Sequence, residues 1–299
     1  MSDLTKILLT GAGGRLGDYF LAKLGNRPGF VASSRRGGDG EIVALDLDDA
    51  ATTEAVVASI KPDIVIHAAA ATDVDACEKD PTSAWRANVQ ATRHLVSALA
   101  KGAPGAKLVY LSTDQVYFGP GPNREETAAP RTIYALTKMW GEDIALTLPG
   151  ALVLRINYIG VGTMDRPNLG DWLVKSLRER KPITLFEDVL FNPVYAGDLP
   201  ELVLALAHNG AGGVINLGSA PSGMSKAEFA RGLARRLNLS LEATKSGRLA
   251  DAALAAKRPL DTRMDVTRAE KLLNVRLPDA EIVMDRFAAD WRQRSELAA

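Results

Sequence analysis

An apolar run at residues 6 to 10 passes directly into glycines at 11, 14 and 17 in the segment KILLTGAGGRLG. This is how a buried strand that must turn into a helix within a few residues is written. Gly11 allows the tight turn, Gly14 lets another group approach the backbone, and Gly17 lets the helix sit close to the sheet. The amphipathic DYFLAKL that follows supplies the helix. Its first turn carries free N–H groups and the positive end of the helix dipole. A strand, a glycine turn and a helix in this order therefore point to a dinucleotide pyrophosphate seated there, with Arg15 and Leu16 in the turn.

Further strand-like runs, FVASS, EIVAL, DIVIHAA, KLVYLS and ALVLRI, alternate with helical segments at roughly 14–25, 51–60, 81–101 and 131–147. The alternation predicts an α/β fold with a doubly wound parallel sheet and helices on both faces. The helix over 81–101 begins at Pro81 and places Trp85, Val89, His94, Leu95 and Leu99 on a packed face. HAAAATDVD at 67–75 ends the fourth strand with small residues. Ala68, Ala69 and Ala70 would let a cofactor lie against the backbone, or let sheet and helix pack closely; both readings stand.

After about residue 160 the texture changes to Gly-, Pro- and Asn-rich loops and a helix DWLVKSLRER. GVINLG at 213–218 reads as a late strand, and Ser225 with Glu228 forms a capping box for a helix to about Leu237. The expected organisation is a dinucleotide-binding domain over 1–165, with 190–220 returning to it. A smaller α/β substrate lobe takes 166–189 and 221–299.

The 299 residues, 46% hydrophobic, are enough to bury a full core. Lys plus Arg and Asp plus Glu both number 36, so no net field recruits nucleic acid or an anionic membrane. Cys77 is the only cysteine and His67, His94 and His208 are scattered, which excludes an internal disulfide and gives a metal site no support. The chain enters its first strand almost at once, and no apolar stretch reaches the roughly 18 residues of a spanning helix. A cytoplasmic protein is the expectation.

In the NAD version of such a fold an acidic residue stands about 20 residues past the glycines and holds the ribose hydroxyls. Here that neighbourhood reads Ser33, Ser34, Arg35, Arg36. Two guanidinium groups favour the 2′-phosphate of NADP, because a planar fork matches phosphate oxygens. NADPH is therefore the expected cofactor, with NADH the alternative. Asp46 and Leu47 close the next strand-like run. They are placed to bound an adenine pocket, although an Asp there could equally cap the next helix.

Tyr134 and Lys138, in YALTK, stand four apart on a helix and share a face. An ammonium held there would lower the phenol pKa and leave Tyr134 able to pass a proton to a carbonyl oxygen. Ser112, Thr113 and Asp114 end the preceding strand, at the sheet edge where ligands bind. A hydroxyl there could donate to the same oxygen, or simply cap the strand end.

TGAGGRLG, HAAA, STDQVY, YALTK with the following WGE, and RPLDTRMD together resemble the extended short-chain dehydrogenase/reductases. The resemblance is strongest to their dTDP-4-dehydrorhamnose reductase branch and covers nearly the whole chain. It implies a Rossmann-type domain with a sugar-nucleotide lobe and a homodimer. It also implies a catalytic set of Thr113, Tyr134 and Lys138, with Asn88 supporting the lysine through water. Substrate contacts would come from Thr72, Thr113, Asp114 and Gln115, and a pocket made from loops 160–195 and 250–265 offers Asn168, Trp172, Asn192 and Arg258 as candidates. Ordinary roles stand beside several of these: a helix cap for Asn168, lobe core for Trp172, a turn for Asn192, a surface ion pair for Arg258. The branch usually has an aromatic residue where this chain has Gln115, which bears on the choice of sugar. Related 4,6-dehydratases carry an Asp–Glu pair there, and Gln115 cannot act as that base. The expected activity is reduction of a 4-keto-6-deoxy sugar nucleotide by NADPH. An epimerase is one alternative. A non-catalytic NADP-binding subunit, like the regulatory subunit of methionine adenosyltransferase, is the other.

Overall fold

The computed structural model describes residues 5–38, 42–162 and 168–297. β1 (Ile7–Thr10) is buried at all four positions, as a central parallel strand covered on both faces must be. The glycine turn leads to α1 (Gly17–Leu24), then β2 (Phe30–Ser34) and β3 (Val43–Ala44). Only two residues of EIVAL are strand, and residues 39–41 lie outside the described set. α2 (Ala50–Ile60) is capped by Asp49, whose carboxylate accepts from Ala51 N and Thr52 N; the capping alternative for Asp46 is thereby corrected.

β4 (Ile64–His67) is followed by α3 (Val74–Lys79), a helix not expected from the sequence, which Asp73 caps. The single helix expected over 81–101 is in fact α4 (Pro81–Trp85), a π-helical turn over Arg86–Gln90, and α5 (Ala91–Gly102). A π turn adds a residue to the helical register. As a result Trp85 leaves the packed face: it is 37% exposed and meets exposed Trp140 edge-on at 5.4 Å.

β5 (Lys107–Thr113), α6 (Ile133–Ala145) and β6 (Leu152–Ile156) follow. Beyond them come β7 (Tyr158–Ile159), α7 (Leu169–Arg178), β8 (Ile183–Phe186), β9 (Leu190–Phe191), β10 (Val194–Tyr195) and α8 (Leu199–His208). The chain ends with β11 (Gly213–Leu217), β12 (Met224–Ser225), α9 (Lys226–Leu237), β13 (Thr244–Gly247), α10 (Thr267–Leu273) and α11 (Ala280–Leu297).

Seven strands form one parallel sheet in the order β11-β6-β5-β4-β1-β2-β3. The fold class is thus the doubly wound α/β sheet that the alternating pattern predicts. The order reverses direction between β1 and β4, so the strand ends there open a crevice for a ligand. Two apolar clusters cover the sheet, one on each face. A third, built from Leu173, Val174, Phe191, Phe229, Leu233, Met284 and Phe287, joins α7, α9 and α11 beyond it. At the start of α9 the Ser225 hydroxyl accepts from Glu228 N at 3.0 Å, and the Glu228 carboxylate accepts from Ser225 N at 2.6 Å. Among the described residues no helix is long and apolar enough to cross a membrane.

Candidate active site

A cavity of about 610 Å³ opens over the carboxyl ends of the strands. Its floor is the glycine turn. Gly11 has φ +79°, and a Cβ there would lie 2.6 Å from Ala69 N, so neither the turn nor its contact with the β4 loop tolerates a side chain. Gly14 faces the cavity as bare backbone, with only the Gly11 carbonyl within 4 Å of where a Cβ would stand. No side chain caps α1, leaving its first N–H groups open to an anion. This cradle fits a dinucleotide pyrophosphate. Gly17 serves a nearer contact than the sheet: its Cβ would run into the Ala12 carbonyl of the same turn. Arg15, Leu16, Ala68 and Ala70 line the cavity.

Ser34, Arg35, Arg36, Asp46 and Leu47 stand outside it, at the ends of β2 and β3. β2 pairs with β1 through Ser33 opposite Thr10, which puts them beside the glycine turn. The Ser34 hydroxyl donates to Gly37 O at 2.7 Å and Leu47 is buried. Both arginines are exposed, and Arg35 Nε lies 3.7 Å from Asp46. An exposed pair at that distance is worth little and leaves Arg35 available to a phosphate.

On the other wall, α6 starts at Thr132, whose hydroxyl accepts from Ala135 N. Tyr134, Lys138 and Glu142 follow at four-residue spacing along one face. Thr113 ends β5, and its side chain stands near enough to the Tyr134 phenol to act on its pKa. Both line the cavity and both are buried. Ser112 points elsewhere, donating to the Glu142 carboxylate; alternation along a strand sends neighbouring side chains to opposite faces.

Lys138 Nζ donates to Leu111 O at 2.8 Å and sits 4.0 Å from the centre of the Tyr110 ring. Burial lowers its pKa to about 7, with Glu142 pulling the other way. Burial also drives the Tyr134 phenol well above its usual value, against the lowering influence of the nearby Thr113 hydroxyl. The expectation that Lys138 depresses the Tyr134 pKa is therefore corrected for the protein by itself. Desolvation of the enclosed phenol is the largest influence on it, with the Asp114 charge pushing the same way.

Asn88 lies in the π turn. Its amide accepts from Ala71 N at 2.8 Å and donates to Ala71 O at 3.1 Å and to Thr137 Oγ1 at 3.0 Å. It thus ties the loop after β4 to α6 one residue before Lys138. Its direct partners are those groups, not the lysine.

Asp114 is buried, accepts from Asn157 at 2.5 Å, and has its pKa raised by burial. Thr72, Gln115, Asn168 and Arg258 also line the cavity. Asn168 does so while capping α7 in a reciprocal box with Asp171. Two expected substrate contacts fall elsewhere. Trp172 points outward from α7, 46% exposed, and so is not lobe core either. Asn192 is fully buried, donating to Ser219 O and Met264 O and accepting from Met264 N; it fastens chain segments together. Residues 163–167 of the loop expected to border the pocket lie outside the described residues. Asn157, Tyr158, Val189, Lys226, Leu249 and Thr262 line the cavity without a sequence signal of their own.

The RmlD substrate binding domain family matches residues 5–292. A dTDP-4-dehydrorhamnose reductase of Streptomyces griseus is 34% identical over 223 residues, which is 73% of this chain and 68% of that protein. Another from Mycobacterium tuberculosis is 32% identical over 226 residues, 70% of this chain and 67% of that one. Among solved structures, a dTDP-4-dehydrorhamnose reductase from Bacillus anthracis in complex with NADP superposes with a TM-score of 0.84. It is 26% identical, and the match covers 96% of this chain and 99% of that one.

Proposed function

We propose that this chain, an NADP-dependent oxidoreductase belonging to the RmlD substrate binding domain family, reduces the ketone of a 4-keto-6-deoxy sugar nucleotide such as dTDP-4-dehydrorhamnose. The observation that carries the reading is that Thr113, Tyr134 and Lys138 are enclosed in the same cavity as the glycine turn. Bound NADPH supplies the hydride. Gly11, Gly14 and the start of α1 hold its pyrophosphate, with Arg35 and Arg36 beside its 2′-phosphate. Tyr134 gives its proton to the carbonyl oxygen as the carbon is reduced, so that C=O plus hydride plus proton becomes CH–OH. Thr113 donates a hydrogen bond to the oxygen as charge develops on it. Lys138, one turn along, provides positive charge for the phenolate left behind.

The direction of the Tyr134 shift supports reduction over epimerisation. A raised pKa keeps the phenol protonated and ready as an acid, whereas an epimerase must also use it as a base. The intact trio likewise favours turnover over passive binding. The direct test follows NADPH oxidation with enzymatically generated dTDP-4-dehydrorhamnose. Turnover is expected, and NADPH binding with no oxidation would defeat the reading.

Two further outcomes follow. Replacing Arg35 with alanine removes a charge-assisted contact, so NADPH affinity should fall about 10-fold or more with NADH affinity nearly unchanged; equal losses for both would remove Arg35 from the 2′-phosphate site. The lysine sets a pH limit. Its folded pKa, about 7, lies below the ordinary lysine value, so the ammonium is present below that pH and lost as pH rises through it. The kcat/KM for NADPH should therefore fall with rising pH from about 7.

A further inference from the structure

Lys226 is the first residue of α9, fixed in place by its own N–H donating to Val189 O at 2.9 Å and by the capping box around Ser225. Its side chain is half-buried and lines the reaction cavity. Among the described residues its ammonium donates no hydrogen bond and has no ion-pair partner within bonding distance; its charged neighbours are Arg258 and Asp114. Asp114 spends its own oxygens on Asn157, Thr113 and Gln115.

Arg258 lines the same cavity. One terminal nitrogen donates to Asp75 at 2.7 Å, while Nε is buried with no acceptor. Arg258 and Leu249 are also the two residues shared with a second cavity of about 740 Å³, walled by Phe118, Pro120, Leu190, Leu254 and Leu260. Lys226 thus faces the polar chamber that holds Thr113 and Tyr134, and Arg258 stands where that chamber meets an apolar one. A half-buried ammonium without a hydrogen-bond acceptor and a buried guanidinium Nε without one are both costly, because a desolvated donor needs a partner. A ligand with two linked anionic groups and a different moiety on either side would satisfy both.

We propose that Lys226, together with Arg258, grips the diphosphate of the nucleotide-linked substrate, with Lys226 a binding and specificity-determining residue of the reaction. The assignment rests on the reading above that the substrate is a sugar nucleotide. It places the sugar on the Tyr134 side of the clamp and the nucleoside on the other.

The test is calorimetric titration of the full chain, saturated with NADP so that the cofactor cradle is filled. The probes are dTDP, UDP and GDP and the matching nucleosides. Wild type, Lys226→Met and Lys226→Arg are compared. At least one diphosphate should bind the wild type with salt-weakened affinity. Lys226→Met should lose about 10-fold or more of it, in line with one charge-assisted contact, while Lys226→Arg stays within about 3-fold. NADP and nucleoside affinities should be unchanged. Wild-type affinity in Lys226→Met, an equal loss for nucleoside and diphosphate, or no diphosphate binding to the wild type would each overturn the clamp. Lys226-dependent binding without NADPH oxidation would leave the clamp standing and defeat the keto-sugar reading. Turnover of dTDP-4-dehydrorhamnose with an unchanged KM in Lys226→Met would do the reverse.

Discussion

Tyr134→Phe should lower kcat for ketone reduction by about 10²–10⁴-fold, the range expected for loss of a positioned proton donor. NADPH affinity should change little. The substitution deletes one oxygen and leaves a ring of the same shape in a buried site, so neither the cavity wall nor the glycine turn is disturbed. The Thr113 hydroxyl donates to the Asp114 carboxylate at 3.3 Å and accepts from Gln115 N at 3.1 Å. It is therefore not stranded, and the fold should keep its stability. Stopped-flow NADPH oxidation with saturating keto sugar separates this chemical loss from binding. A phenylalanine variant that turns over at the wild-type rate would move the proton donor to another group, with buried Asp114, whose pKa is raised by burial, the nearest acid.

The parts of this site readable in the sequence are those set by local rules. A four-residue spacing puts Tyr134 and Lys138 on one face of any helix. A strand running into spaced glycines turns the same way wherever it occurs, and the Ser225–Glu228 box needs only its own four residues. What escapes such rules is pairing between distant segments. Asp75 and Arg258 are 183 residues apart, and only the closed fold shows that one orients the other. Lys226 reads from sequence as an ordinary residue in the first turn of a surface helix; the packing of α9 turns it into the cavity. The register of Trp85 fails for a subtler reason, since the π turn at Arg86–Gln90 breaks the period on which its burial was inferred. That turn is held by Asn88 bonding to Ala71 and Thr137, contacts 17 and 49 residues away. The high Tyr134 pKa is likewise a property of enclosure, which sequence spacing does not encode.

Arg155→Met should destabilise the protein by about 3–5 kcal/mol, the usual cost of leaving one member of a buried ion pair uncompensated. Arg155 and Glu142 are only 4% and 2% exposed. The guanidinium donates to the carboxylate at 2.7, 3.0 and 3.2 Å, to the Tyr117 hydroxyl at 3.0 Å and to Glu125 O at 2.6 Å. Tyr117 in turn donates to Asn216 at 2.6 Å. One side chain thus connects β6, α6, the segment after β5 and the edge strand β11. Methionine fills the volume and satisfies none of these groups, so urea unfolding should show a lower midpoint with an unchanged slope. Glu142→Gln alone should also be costly, because Arg155 then keeps its charge in a dry site. The double variant Glu142→Gln/Arg155→Met should recover part of the sum, since the second change removes the charge that the first stranded. Additive losses would mean that the two side chains act independently despite their contact. Glu142 is the turn of α6 after Lys138, and Ser112 bonds to it. The ion pair thus seats the helix that presents Tyr134 and Lys138. In contrast to Tyr134→Phe, a surviving folded fraction of Arg155→Met should retain turnover per active site, which separates support of the helix from the chemistry done at its start.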